Sequence, residues 1–224
     1  MKATTRRHLG FLLGFGLYFG LLWLFWWSPV VYPLKVFVVF LHEISHGMAS
    51  IATGGSIQQI TLDPRLGGTC SCPGGNAFLT LSAGYLGSLA WGGIILELGR
   101  WAPQRPDWIV RSLGLLVAIL TVLYVRGGFG IAFGLLFGVA LILIALRLSR
   151  QVNRTLLTAL GLTSCLYAVL DIKGDILDHP ERPSDAHMLA ELTGVPTVAW
   201  GILWIGAALI VGGWLFKRAY RAAW

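Results

Sequence analysis

The sequence predicts an all-α polytopic membrane protein of about six to seven transmembrane helices, with a short β-hairpin inserted after the second helix. Three observations predict it. Of the 224 residues, 56% are hydrophobic and only 12% charged, about half the charge of a soluble domain. Apolar stretches long enough to cross a hydrocarbon core recur along the chain. Ten Trp and the Lys and Arg at the stretch ends are the composition of membrane-interface anchors. Mean hydropathy is +0.73, and residues 1–224 read as a single membrane-embedded domain. The net charge of +7 is assigned to the anchors, so no nucleic acid is expected as a partner; the bilayer is.

The first helix spans Leu9 to Trp27, too long for a signal-peptide core and without a small-residue cleavage site. Prolines 29 and 33 end it. The second runs from Leu34 to Thr53 and stops at Gly54-Gly55. Residues 54–82 differ: paired glycines, two prolines and the strand-like pieces Ile57 to Leu62 and Ala77 to Leu81 predict a β-rich, membrane-dipping segment. Backbone at that depth must be paired or covered by protein. Helix three, Ala83 to Leu98, carries small residues that permit close helix approach. Helices follow over Ile109 to Val125, Ile131 to Leu146, Val152 to Ile172 and Thr197 to Phe216. The basic clusters do not agree on one topology, because three helices separate the first cluster from the second. Six crossings plus one partial element is the preferred count.

The chemistry sits in the second helix, which reads His42-Glu43-Ile44-Ser45-His46. Residues four apart share a helical face, so His42 and His46 can bind one zinc ion. Glu43 is placed to act as general base on zinc-bound water. Ionisable groups inside a bilayer are costly and mark function. A catalytic zinc takes a third protein ligand and keeps a position open. Six of the ten acids lie between Asp171 and Glu191. Asp171 follows an apolar run directly and is the preferred third ligand. Asp175, one turn on, is the alternative, and His179 and His187 stay open. Ser184-Asp185-Ala186 reads as the capped start of a short helix, a structural role. Glu97 is expected to pair with Arg100 or Arg111. Cys70 and Cys72 are too close in sequence to close a useful loop, and three cysteines make no disulfide framework.

The pieces L-H-E-I-S-H-G, A-T-G-G-S-I, S-A-G-Y-L-G-S and L-D-I-K-G-D-I-L, with S-D-A downstream, extend from Leu41 to Ala190. In combination they resemble the site-2 protease class of intramembrane zinc metallopeptidases, and within it a compact bacterial branch with plant and fungal relatives. The resemblance implies a zinc-dependent endopeptidase of the cell membrane, the inner membrane in bacteria. Its substrate would be a membrane protein or peptide cut within or near the bilayer. His42 and His46 carry over as ligands and Glu43 as the base. Better-known members deliver the third ligand from an Asn-Pro…Asp-Gly segment. None exists here, which leaves that role to Asp171 or Asp175. The rival reading is a non-catalytic metal-binding membrane protein that binds membrane clients; a closed fourth coordination site would favour it.

Overall fold

The computed structural model describes residues 3–177 and 183–222, the side chains of 3–8, 11, 175 and 222 excepted. Eight α-helices are described: α1 (Ala3–Leu24), α2 (Tyr32–Ala52), α3 (Ala77–Trp101), α4 (Pro106–Tyr124), α5 (Gly128–Arg147), α6 (Arg150–Ile172), α7 (Asp185–Thr193) and α8 (Thr197–Ala222). Six of them, α2 to α6 and α8, are long and apolar enough to cross a membrane. In α1 the apolar stretch is shorter, Leu12–Leu24. The polytopic helical architecture read from the sequence is therefore present.

Helix α2 is the centre of the bundle. Pro33 sits in its first turn, where the missing N–H costs nothing. Phe37, Phe40 and Ile44 are fully buried. Small residues let the other helices close around it. In the α3–α6 pair, a Cβ on Gly92 would lie 2.8 Å from the Gly161 carbonyl oxygen, and one on Gly161 2.9 Å from that of Gly92. Gly114 and Gly138 make the same reciprocal approach between α4 and α5. At the far end of α3, the Glu97 carboxylate bridges Arg100 and Arg218, each at 2.9 Å; the pairing with Arg100 was one of the two expected.

The segment between α2 and α3 is a hairpin, but not the one expected. Its strands are β1 (Gln59–Leu62) and β2 (Gly68–Ser71), antiparallel with Ile60 opposite Cys70. Residues 77–81, read as strand-like, instead open α3. The reason is local: the Asn76 side chain accepts a hydrogen bond from the Leu79 N–H and caps the helix. A third strand, β3 (Val125–Arg126), pairs in parallel with β1, giving the order β2-β1-β3. Among the described residues, one edge of β2 is thereby left without a strand partner.

Beyond Ile172 the chain continues as a π-helical turn, Lys173–Leu177. Ile172 and Ile176 then pack with Tyr85, Ala186, Leu189 and Trp204. This second core fastens the short helix α7 to α3 and α8.

Candidate metal centre

His42 and His46 stack one turn apart on α2, their ring centroids 4.8 Å apart. Helix α3 covers them, and it can do so only because residue 84 is glycine. A Cβ there would overlap the imidazoles of both histidines. Gly87, one turn on, makes the same allowance for Ser45, whose hydroxyl donates to the Leu41 carbonyl at 2.6 Å. The Tyr85 ring stands edge-on to His42 at 4.8 Å.

The Nδ1 of His46 lies 2.7 Å from the Thr80 carbonyl oxygen. A carbonyl only accepts, so Nδ1 carries a proton, which leaves Nε2 as the nitrogen available to a metal. This contact, from the first turn of α3, is the kind of outer partner that orients a metal-binding histidine.

Facing both Nε2 atoms is Asp185. Its Oδ2 lies 3.0 Å from Nε2 of His42 and 3.2 Å from Nε2 of His46. Burial by itself raises the Asp185 carboxyl. The hydrogen bonds from His42 and His46 outweigh it and hold the group well below the usual carboxylate range. Among the described residues, His42, His46 and Asp185 form a group that could hold a metal ion, their ligand atoms all within 4.8 Å of one another. Two imidazoles and one carboxylate are a donor set of catalytic zinc sites, with a coordination position left over.

At the third position this group differs from the sequence expectation of Asp171 or Asp175. Asp171 lines the same cavity but falls outside that group. The side chain of Asp175, and His179 entirely, lie outside the described residues. His187 faces Glu191 at 3.7 Å, on α7. Asp185 was read as part of a helix cap and nothing more. The cap itself is real: the Ser184 side chain accepts from the His187 N–H. It starts α7 at Asp185, while Ala186 and Leu189, both fully buried, seat the helix. The sequence signal that could have found Asp185 is the S-D-A segment, which belonged to the resemblance.

Glu43 is 5% exposed and points away from α3 toward the hairpin. A Cβ at Gly68 on β2 would come 2.6 Å from its Oε1. A cavity of about 900 Å³ opens beside these residues, walled by β2 on one side and by Asp185 and Met188 of α7 on the other. Cys70 and Cys72 line it too, with their sulfur atoms side by side. Alternate strand positions share a face, which brings their side chains together.

The family described as Peptidase M50B-like matches residues 16–215. The chain belongs to this family. M50B-like peptidases are membrane metallopeptidases of the site-2 protease type, and the class read from the sequence motifs is thus the right one. No curated protein and no solved structure matches the chain. The match spans the elements that build the centre, α2, α3 and α7.

Proposed function

We propose that the protein is an intramembrane zinc endopeptidase that hydrolyses a peptide bond of a membrane-associated protein. The carrying observation is the placement of Asp185 Oδ2 against the Nε2 atoms of His42 and His46, with Glu43 beside them on the same cavity. His42, His46 and Asp185 would hold the zinc ion. When bound, zinc supplies a Lewis acid that polarises the scissile carbonyl and acidifies a water molecule.

The protein's own residues do the rest. Thr80 keeps His46 in the tautomer that offers Nε2. Glu43 takes a proton from the attacking water as the new C–O bond forms. It then delivers that proton to the amine nitrogen as the C–N bond breaks. Burial of Glu43 between α2 and Gly68 keeps its carboxylate beside the cavity rather than in bulk solvent.

A helical substrate hides its peptide bonds, so the substrate segment must be extended at the site. The open edge of β2 borders the cavity and offers unpaired backbone groups to such a strand. The non-catalytic alternative needs a fourth protein ligand, and His187, one candidate for it, is engaged with Glu191 instead.

The test is Glu43→Gln in full-length protein, with a panel of transmembrane peptides as substrate and products read by mass spectrometry. Cleavage by the parent and none by the variant, with zinc content unchanged, is the expected result. Undiminished cleavage by Glu43→Gln would overturn the assignment.

A further inference from the structure

A second cavity, of about 760 Å³, lies on the far side of the bundle among α1, α3, α6 and α8. It shares no lining residue with the metal centre. Helix α1 closes one side of it. The Tyr18 hydroxyl donates to the Ala159 carbonyl at 3.0 Å, and Phe15 meets Phe216 edge-on at 4.9 Å.

The walls are apolar, but one end is not. Arg100 and Arg154 line it, in the last turn of α3 and near the start of α6. The Glu97 carboxylate is shared between Arg100 and Arg218, while Arg154 donates to the Pro103 carbonyl at 2.8 Å. Arg100 and Arg218 thus share one carboxylate while Arg154 meets a carbonyl, and positive charge is in excess where the helices end. Along α6 the lining runs from Arg154 to Val169, about 22 Å at the helical rise. One leaflet's share of a hydrocarbon core is about 15 Å. The cavity therefore begins at a charged helix end, where an interface lies, and reaches past the depth of one leaflet.

From this geometry we infer that the cavity binds an acyl chain of an anionic phospholipid, with the phosphate at Arg100 and Arg154. A thin, flexible, apolar chain fits the walls, and a phosphate answers the charge. The lipid fills the seam between α1 and the remaining helices and joins them.

The test uses delipidated full-length protein in detergent, offered phosphatidylglycerol or phosphatidylcholine of equal chain length. Bound lipid per protein is read by native mass spectrometry. Phosphatidylglycerol is expected to bind the more tightly. Arg154→Gln should weaken it roughly fivefold, the share of one interfacial arginine, and weaken phosphatidylcholine, whose headgroup carries no net charge, by less. Leu162→Trp, which fills the apolar part, should abolish binding of both lipids while keeping the parent's melting temperature. Arg126→Gln, at β3, should change nothing. Equal binding of the two lipids by the parent, or an unchanged affinity in Leu162→Trp, would overturn the inference. So would a photo-crosslinker at position 162 that captures an added transmembrane peptide in preference to lipid.

Discussion

The Oδ2 of Asp185 lies 3.0 Å from the Nε2 of His42, across 143 residues of chain. Several elements hold that contact together. Helix α3 covers the histidines through Gly84, α6 and its π-helical turn carry the chain back, and the Tyr85–Trp204 core presses α7 into place. The expected consequences follow from those dependencies.

Gly84→Ala should damage the centre without touching a ligand. The added methyl overlaps both imidazoles, and neither ring can retreat, since His46 is tied to Thr80 and His42 to Tyr85. Overpacking of this kind costs about 1–3 kcal/mol. The expected result is zinc affinity lowered at least tenfold with helix content unchanged, measured by competition with a chelator. Parent-like affinity would mean that α3 is free to move away.

Gly68→Ala should separate the base from the metal. Its Cβ would sit 2.6 Å from Glu43 Oε1 and 2.7 Å from Cγ, so the carboxylate must turn. Zinc content should stay at the parent level while cleavage falls about 10²-fold, the scale of a lost general base. Loss of zinc together with activity would show that the hairpin supports the ligands instead.

Much of this was legible in the sequence. Each membrane-length helix announced itself as an apolar run ended by proline, glycine or a basic cluster, because a bilayer imposes length and hydropathy on every crossing. His42, Glu43 and His46 were legible because one helix carries all three at a fixed spacing. Asp185 was not. Its partnership is made across the bundle, and no local pattern distinguishes a carboxylate at a helix start that caps from one that faces two imidazoles. Asp171 looked the better candidate because it ends an apolar helix, and it does reach the same cavity. The hairpin was placed correctly but its second strand was not. Residues 77–81 suit either a strand or a helix, and the Asn76 cap decides between them. The pairing of β3 with β1 had no sequence signal, since two residues carry no periodicity.

Leu189→Ala tests how Asp185 is held. Leu189 is fully buried in the core beneath α7, and truncating such a side chain costs about 2–5 kcal/mol. Part of that loss should appear at the metal centre, because α7 is short and has few other anchors. The expected outcome is weaker zinc binding and faster amide exchange in residues 185–193, with exchange in α4 and α5 unchanged. Uniform destabilisation with parent zinc affinity would show that Asp185 does not depend on this seat.

The zinc content of detergent-purified Asp185→Ala, set beside Asp171→Ala and the parent, tests the central claim most directly. About one zinc per chain is expected in the parent and in Asp171→Ala, and less than about a tenth of that in Asp185→Ala, as loss of one of three protein ligands requires. Full zinc in Asp185→Ala, with loss in Asp171→Ala, would contradict the account and return the third ligand to α6.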